Sequence, residues 1–289
     1  MTKITKIINF KLNLLNMEEL IIENKDKFSL NLKELWSYRE LFYFFTWRDI
    51  KVRYKQTILG FLWVILQPLF MTIVFSAFIG DSIVSKTQLP IPYPVFAMSG
   101  MILWGVFSGG MSGAANSMVN NAHIIKKIYF PRLIIPISSI LVSLVDFLIA
   151  FVVFCAFLLV YNVEIRYTSL LLVPFSVLIT CLAAIGCGTL LAAFNIKYRD
   201  VRYIIPFLVQ GLMFLSPVLY PINISDNKFA QFVLKLNPIS GALELMRGMF
   251  KEHVINYDTV LFSLLSSCIL FVIGIVYFRK TESYFADLA

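Results

Sequence analysis

The sequence has few of the residues that build common catalytic and metal sites. Only two histidines occur in 289 residues, His123 and His253, and neither stands in a cluster of Asp, Glu or Cys along the sequence. The four cysteines lie in apolar runs and lack the CxxC spacing of metal and redox sites. These absences argue against zinc chemistry, against any metal site and against a Ser-His-Asp triad.

Charged residues are also scarce, at 15% of the chain, whereas 59% of the residues are apolar and the mean hydropathy is +0.80. Such a chain has too little polar surface to stay dissolved in water, which indicates an integral membrane protein. The net charge of +8 comes from basic residues beside apolar runs. This pattern is typical of contact with anionic membrane lipids, and we expect no nucleic acid partner.

A third absence concerns nucleotides, because the sequence has no GxxxxGK[ST] loop to cradle ATP phosphates. We therefore expect no cofactor in this chain and no ATPase activity of its own. A cleavable signal peptide is also missing, since residues 1–32 alternate polar and apolar residues and build no apolar core. This segment is predicted to be a cytosolic extension.

Residues 33–57 are predicted to form an amphipathic helix in the membrane interface, followed by a turn at 57–60. Aromatic rings suit the depth of the lipid headgroups, and basic side chains suit their phosphates. A helical wheel collects an aromatic and apolar side from Trp36, Tyr43, Trp47, Ile50 and Tyr54. Beside it lies a basic stripe of Arg48, Lys51 and Lys55, and together with Arg53 these are the candidate headgroup contacts.

Six apolar runs are long enough to cross a bilayer. With both termini in the cytosol, 19 of the 25 Lys and Arg residues lie on the cytosolic side, as the positive-inside rule requires. The predicted fold class is therefore an all-α integral membrane protein with six transmembrane helices and both termini cytosolic. The runs are 58–79, 95–119, 133–160, 169–194, 203–220 and 260–278.

The segment between the fifth and sixth runs is too apolar for a plain external loop. It contains "FAQFVLKL" and "NPISGALELMRGMF", each too short to cross a bilayer. Asn237 is a candidate helix cap with Pro238 at the first helical position. Two short re-entrant helices that dip into the outer leaflet fit this pattern. The alternative is a small external subdomain packed on the bundle.

Asp146 is an acidic residue deep in an apolar run. A proton-coupled carrier uses such a carboxylate. We favour the alternative, a packing or hydrogen-bonding role with Ser138, Ser139 or a neighbouring helix, because its own helix places no His, Lys or Arg near it.

Several motifs follow one another in a fixed order: "WRDIKVRYKQTILGFLWVILQPLF" (47–70), "NNAHIIKKIYFPRLIIP" (120–136), "LVDFLIAF" (144–151), "YRDVRYIIPFLVQGLMFLSPVLYPI" (198–222), "LNPISGALELMRGMF" (236–250) and "ESYFADL" (282–288). Together they resemble the permease domain of type-2 ABC exporters that move lipid-linked polysaccharides, the family of O-antigen, capsule and teichoic-acid transporters. The resemblance covers about residues 33–289, and its specificity lies in the order of the motifs.

The resemblance implies a six-span permease domain over 58–289 in a bacterial cytoplasmic membrane, with residues 33–57 as its gate helix. It implies a homodimer that moves a lipid-linked polysaccharide with two separate ATP-binding subunits, which hold the ATP and Mg²⁺. It also implies a coupling helix that docks those subunits, formed by Ile124, Ile125, Lys126, Lys127, Ile128 and Tyr129, although an ordinary basic loop is the alternative. The candidate gate residues of the re-entrant segment are Asn237, Pro238, Glu244 and Arg247.

A channel for sugars should present aromatic rings and amides rather than charges. The first run has such a face in Trp63, Gln67 and Phe70, and the fifth run has the same pattern in Phe207, Gln210 and Phe214. The alternative for each ring is contact with lipid. The amides are the stronger candidates, because a glutamine that faces lipid is costly.

Three functions follow from these patterns. The first is the permease subunit of a polysaccharide exporter, and the second is a type-2 ABC exporter of a smaller lipid or drug. The third is a membrane glycosyltransferase or acyltransferase, which would need a paired acidic or His-Asp set. Because Asp49, Asp200 and Asp226 are dispersed, the enzyme is the weakest of the three.

Overall fold

The computed structural model of the chain describes residues 32–55, 60–87, 89–198 and 200–282. The predicted extension before residue 32, the chain between residues 55 and 60, and the C-terminal motif beyond residue 282 lie outside the described residues. Within the described ranges the regular structure is helical, apart from an antiparallel bridge between Ile165 and Phe250.

Twelve α-helices occur in the described ranges, and we number them in chain order. They are α1 Leu32–Ser37, α2 Arg39–Lys55, α3 Leu62–Phe78, α4 Gly80–Thr87, α5 Tyr93–Asn120, α6 Ala122–Ile125, α7 Ile134–Val160, α8 Leu172–Lys197, α9 Val201–Leu215, α10 Lys228–Leu236, α11 Ser240–Arg247 and α12 Tyr257–Glu282.

Four helices are long and apolar enough to cross a membrane: α5, α7, α8 with the short 3-10 helix before it, and α12. They lie at the predicted second, third, fourth and sixth runs. The apolar length of each run is sufficient to specify such a helix, because the chain must satisfy its backbone polar groups internally in lipid. The chain is therefore a multi-pass membrane protein of the all-α class.

The first and fifth predicted spans differ from the structure. Helix α3 ends at Phe78 and bends by 67° into α4, so this pair is a broken span or a re-entrant element. Helix α9 ends at Leu215 rather than near residue 220, and its 15 residues extend about 22 Å. That is short of a hydrocarbon core of about 30 Å. The prediction of a continuous fifth helix over 203–220 is wrong, and the count of six spans stays a prediction.

The predicted interfacial helix is divided at Tyr38 into α1 and α2. Helix α2 buries Phe45 against the bundle, where its ring centroid lies 5.7 Å from that of Phe130. The Thr46 hydroxyl lies 3.5 Å from the Ser138 carbonyl of α7. Gly60, where the described chain resumes, has a positive φ of 46° that glycine accepts without strain.

The two short helices predicted between the fifth and sixth runs are confirmed as α10 and α11. Helix α11 is almost wholly buried in the bundle, whereas no residue of α10 is buried. Whether they dip into the outer leaflet stays a prediction.

Helix α5 lies at the centre of the bundle between α7 and α8, and α8 also packs along α12. The α8–α12 crossing depends on glycine, because a Cβ on Gly274 would lie 2.1 Å from the Gly186 carbonyl oxygen. Small residues let helix backbones approach this closely in lipid. This packing leaves one face of α5 partly open.

Candidate functional site

The open face of α5 forms one wall of a groove of about 620 Å³, and we call it the polar groove. Helices α3 and α7 supply the other walls, and Val209 of α9 reaches its edge. Helix α5 contributes the apolar Met101, Ile102, Trp104 and Val106 toward one end of the groove. Its other lining residues are small or polar and recur at helical spacing: Gly105, Ser108, Gly109, Ser112, Gly113, Asn116 and Asn120.

A polar face on α5 is informative because the rest of this helix is the most buried of the spanning helices. Hydroxyl and amide groups in a transmembrane helix are costly when they face lipid, so they usually face the bundle, water or a ligand. Asn116 also accepts a 3.2 Å hydrogen bond from the Asn195 amide of α8 and donates to the Ser112 carbonyl at 2.9 Å. These contacts fix its orientation beside the groove.

The structure brings two of the six predicted channel residues into the polar groove. Trp63 and Gln67 line it from α3, next to Pro68. Phe70 lies outside the lining and is exposed on α3. Phe207, Gln210 and Phe214 are exposed on α9 but do not line the groove either. Within one chain, therefore, the matching faces of the first and fifth runs do not meet.

Asp146 lines the polar groove and is paired with α2. One carboxylate oxygen accepts from the guanidinium of Arg53, and the other accepts from the Tyr54 hydroxyl. Burial, followed by the hydrogen bond to Asp146, raises the pKa of Tyr54, which keeps its hydroxyl protonated as a donor. The preferred role with a neighbouring helix is confirmed.

The predicted partners of Asp146 on its own helix are wrong. The hydroxyls of Ser138 and Ser139 instead donate to the carbonyls of Ile134 and Ile135, one turn earlier in α7. Such local bonds satisfy a serine hydroxyl within its own helix. Tyr54 is also corrected, because it contacts the bundle rather than lying with the exposed aromatic residues of α2.

The other basic residues of α2 make local contacts. Arg48 forms a 2.7 Å ion pair with the adjacent Asp49. The Lys51 ammonium lies 5.3 Å from the centre of the Trp47 ring, a cation–π distance. Lys55 is exposed at the end of the helix. The predicted basic stripe therefore lies along α2, while Arg53 reaches across to α7.

The predicted coupling helix is shorter than expected. Helix α6 ends at Ile125, and Lys126 to Phe130 continue as turns and extended chain. Ile125 and Phe130 are buried in the bundle, so the prediction that Ile125 docks a partner is wrong. Between them, Ile128 is 62% and Tyr129 70% exposed. The surface that the structure offers to a partner is thus Lys126, Lys127, Ile128 and Tyr129, with Ile124 partly exposed beside it.

The segment after this exposed surface is fixed to the end of α12. Arg132 donates to the Glu282 carbonyl at 2.6 Å, and the Glu282 carboxylate accepts from the Arg132 backbone at 3.1 Å. A cation at the last carbonyls of a helix is favourable. These bonds connect the chain that follows residues 126–129 to the C-terminal end of α12.

Residues 216–221 follow α9 and form a turn beside the N-terminal end of α5. We call this segment the outer turn. Arg247 of α11 is 2% exposed and donates to the Pro217 carbonyl at 3.0 Å and the Val218 carbonyl at 2.7 Å. Its guanidinium carbon lies 3.5 Å from the centre of the Phe96 ring of α5. The Tyr93 hydroxyl donates to the carbonyl of Leu219, the next residue, at 2.9 Å.

Asn237 completes the connection between the outer turn and α11. Its side-chain amide donates to the Leu215 carbonyl at 3.2 Å, and its side-chain oxygen accepts from the Ile239 amide at 3.0 Å. The predicted cap is wrong in its position, because α11 begins at Ser240 after Ile239, so Asn237 and Pro238 lie in the turn before the helix. The Pro238 carbonyl accepts from Ser263 at 2.8 Å, which ties this turn to α12.

Glu244 lies one helical turn before Arg247 and pairs with His253 at 3.0 Å. The two partners are nine residues apart, across the end of α11, so only the fold brings them together. All four candidate gate residues therefore take part in contacts that hold α11 in the bundle.

Sequence reasoning missed the polar face of α5. Ser108, Ser112, Asn116 and Asn120 recur at every fourth position. A polar residue at each turn of an apolar helix indicates a face that avoids lipid. This signal was present in the sequence.

Comparison with protein families gives a match to the family described as "ABC-2 type transporter" over residues 40–250. The match includes almost all of α2, the polar groove, residues 124–129 and α11.

Individual relatives are similar over most of their length. An "O-antigen export system permease protein RfbA" of Klebsiella pneumoniae is 28% identical over 241 residues, which are 83% of this chain and 92% of the relative. The protein of that name from Myxococcus xanthus is 28% identical over 77% of this chain and 84% of its own. The "Polysialic acid transport protein KpsM" of Escherichia coli is 26% identical over 81% and 91%.

The family match spans most of the chain and contains the groove, the helix that borders it and the segment exposed beside α6. The type-2 resemblance of the motifs is thereby confirmed, and the chain belongs to the ABC-2 type transporter family.

Proposed function

We propose that this chain is the transmembrane subunit of an ABC exporter that moves a lipid-linked polysaccharide across the bacterial cytoplasmic membrane. The observation that carries the proposal is the polar groove, whose hydroxyl and amide groups on α5 face Trp63 and Gln67 of α3. Sugars present hydroxyls and apolar CH faces, which hydrogen-bond to such groups and stack on such rings. The relatives are named as O-antigen export and polysialic acid transport proteins, which supports this class of cargo.

The working unit in this proposal is a homodimer. The polar groove is open on one side, and Phe70, Phe207 and Phe214 stand exposed outside it. Two copies that face each other would join their grooves into one passage and would bring these rings to its walls. An aromatic lining suits sugar chains of varied composition, because ring stacking does not require a fixed hydroxyl pattern.

The energy comes from two separate ATP-binding subunits, which hold the ATP and Mg²⁺. Residues 126–129 are the docking surface, since Ile128 and Tyr129 are exposed apolar groups flanked by Lys126 and Lys127. Buried Ile125 and Phe130 on either side keep this surface fixed to the bundle. An aromatic anchor with an apolar neighbour is a common centre of a protein interface.

The proposed topology has six spans and cytosolic termini. Contacts between Phe45 and Phe130, and between Arg132 and Glu282, support one side for α2, the docking surface and the end of α12. The excess of Lys and Arg there supports the cytosolic side. In this topology α10 and α11 form a re-entrant gate on the outer side, with Asn237, Pro238, Glu244 and Arg247 holding α11.

Reconstitution in sealed vesicles tests the proposal. The chain is purified alone and with its ATP-binding subunit, and both preparations are assayed for ATP hydrolysis and for movement of lipid-linked polymer to the opposite side. We expect hydrolysis and polymer movement only when both subunits are present, because this chain has no phosphate loop.

Two outcomes would contradict the proposal. Hydrolysis by a preparation shown to be free of the partner would overturn the division of labour between the subunits. Movement of a short lipid at full rate with no movement of its polymer-bearing form would instead indicate an exporter of smaller lipids.

A further inference from the structure

The contact between α2 and Asp146 has the composition of an anion-binding site. Arg53 and Tyr54 are consecutive on α2, and each donates to a different oxygen of the same carboxylate. A guanidinium and a hydroxyl on the two oxygens of one anion is the arrangement by which proteins hold carboxylates and phosphates. Here the anion belongs to the protein itself.

The location of this pair connects it to transport. Arg53 and Asp146 both line the polar groove. The Arg53 side chain is 45% exposed, whereas that of Asp146 is 19% exposed. A ligand that enters the groove therefore reaches the guanidinium without displacing the bundle.

Asp146 depends on this contact. It is the only charged residue in the 27-residue helix α7, and an ionised carboxylate in an apolar span is costly without a partner. Docking of α2 supplies that partner. The pair thus holds the C-terminal end of α2 against the middle of α7, in addition to the contact of Phe45, earlier in α2, with Phe130.

A phosphate group competes well for the same donors. It offers more oxygens than a carboxylate, and a diphosphate carries more negative charge than the single charge of Asp146. A lipid-linked polymer presents its phosphate at the junction of lipid and sugar. That junction must pass α2 if the sugar enters the polar groove while the lipid stays in the membrane.

We propose that Arg53 and Tyr54 form a phosphate site that Asp146 occupies at rest, and that the phosphate of the cargo replaces Asp146 and releases α2 from α7. This inference rests on the proposed function for the identity of its ligand. Asp146 is then an internal competitor that keeps the groove closed to membrane lipids of lower charge. Arg48 pairs with the adjacent Asp49 on α2, whereas Arg53 pairs with Asp146 on α7.

A binding measurement on the full chain in nanodiscs tests the inference without requiring transport. The probe is farnesyl diphosphate, compared with inorganic diphosphate and with nanodiscs that contain or lack an anionic phospholipid. Asp146→Asn keeps the shape and one acceptor oxygen but removes the competing charge. We expect it to bind farnesyl diphosphate about tenfold more tightly, because the free site is no longer self-occupied.

Two variants on α2 should act in the opposite direction. Arg53→Gln should abolish measurable binding in the wild-type and Asp146→Asn backgrounds, and Tyr54→Phe should weaken it severalfold without a change of charge. Arg39→Gln, at the exposed start of the same helix, removes one positive charge away from the groove. We expect it to bind the probe within twofold of the wild type.

A merely structural ion pair predicts a different pattern. Asp146→Asn would then bind the probe equally or more weakly, and that result overturns the inference. So would equal losses in Arg53→Gln and Arg39→Gln, because they would indicate general charge attraction. Full occupancy by the anionic phospholipid would overturn the assignment to the cargo.

The two diphosphate probes identify the source of the ligand. Tighter binding of farnesyl diphosphate assigns the site to a lipid-linked phosphate, whereas equal binding assigns it to the anion alone, and both support a phosphate site. Polymer transport with unchanged probe binding in all variants would remove this inference and leave the proposed function intact. Probe binding as expected, in a chain that moves no polymer, would support the phosphate site and contradict the proposed function.

Discussion

Substitution of Gly100 by alanine places one methyl group against the outer turn. The added Cβ would lie 2.3 Å from the Val218 carbonyl oxygen and 3.0 Å from Nη2 of Arg247. That oxygen is the acceptor of the 2.7 Å hydrogen bond from Arg247. A backbone carbonyl in a turn cannot move aside as a flexible side chain does, so the methyl group must push the carbonyl away from the guanidinium.

The expected cost combines three terms. Overpacking of a closely packed site costs about 1–3 kcal/mol, and loss of a hydrogen bond to a charged group costs about 1.5–3 kcal/mol. Alanine regains about 0.5–1 kcal/mol over glycine within a helix. Gly100→Ala should therefore destabilise the folded chain by roughly 2–5 kcal/mol.

Gly105 on the same helix provides the matched control. A Cβ at that position meets no atom within 4 Å, so Gly105→Ala should leave stability unchanged or raise it by about 0.5–1 kcal/mol. Thermal unfolding of both variants in one detergent gives the comparison. At about 2 °C for each kcal/mol, the midpoint of Gly100→Ala should fall by roughly 4 °C or more.

Arg247→Met separates the cost of overpacking from the cost of the lost hydrogen bond. It removes the donor to Pro217 and Val218, so in that background Gly100→Ala should cost less, because the hydrogen bond is already absent. Equal unfolding midpoints for Gly100→Ala and Gly105→Ala would refute the reasoning. Full additivity of Gly100→Ala and Arg247→Met would refute the claim that both act on the same carbonyl.

Three further predictions concern the polar groove, the docking surface and the ion pair of Glu164 with Lys251. Ser112→Ala should slow polymer movement about fivefold, the effect of one lost hydrogen bond of about 1 kcal/mol, while the unfolding midpoint stays within error; an unchanged rate would remove this hydroxyl from the path. Ile128→Asp should lose the ATP-binding subunit in co-purification yet fold normally, whereas Ile125→Asp should fail to fold, because Ile125 is 7% and Ile128 62% exposed. The Lys251 ammonium lowers the pKa of Glu164. The stabilisation of the fold by this pair is therefore complete above the ordinary carboxylate pKa of about 4.3 and disappears as the pH falls through the lowered pKa. Glu164→Gln should abolish that part of the acid dependence of unfolding.

Apolar length was sufficient to predict the long helices, and the prediction was accurate where nothing interrupts the run. The second run, 95–119, corresponds to Tyr93–Asn120, and the third, 133–160, to Ile134–Val160. Hydropathy averages over many residues, so it located these helices but could not locate a break. The break after α9 had a local signal, because Pro217 favours an extended Ser216, and Ser216 has φ −108° and ψ 145°.

The pairings within the candidate site were less accessible to sequence reasoning. Asp146 lies 92 residues from Tyr54 along the chain, and one sequence carries no record of which distant residues approach. The polar face of α5 could have been predicted, because its polar residues repeat at every fourth position within one continuous stretch of sequence. The burial of Ile125 beside exposed Ile128 could not, because both are isoleucines in the same short segment and only the packing of Phe130 and α2 distinguishes them.

Two contacts of charged side chains in the apolar part of this protein join separate elements. Arg247 joins the outer turn to α5, and the pair of Arg53 with Asp146 joins α2 to α7. A regular helix satisfies its own backbone in lipid and needs no charge, whereas a turn leaves carbonyls that need donors. The two contacts differ in their chemistry. Arg247 is 2% exposed and its guanidinium bonds to neutral carbonyls. No anion from outside can therefore replace its partners. Arg53 lines the polar groove and bonds to Asp146, an anion that a second anion can replace. In the proposed mechanism, the contact between α2 and α7 is therefore the one that a charged cargo can open.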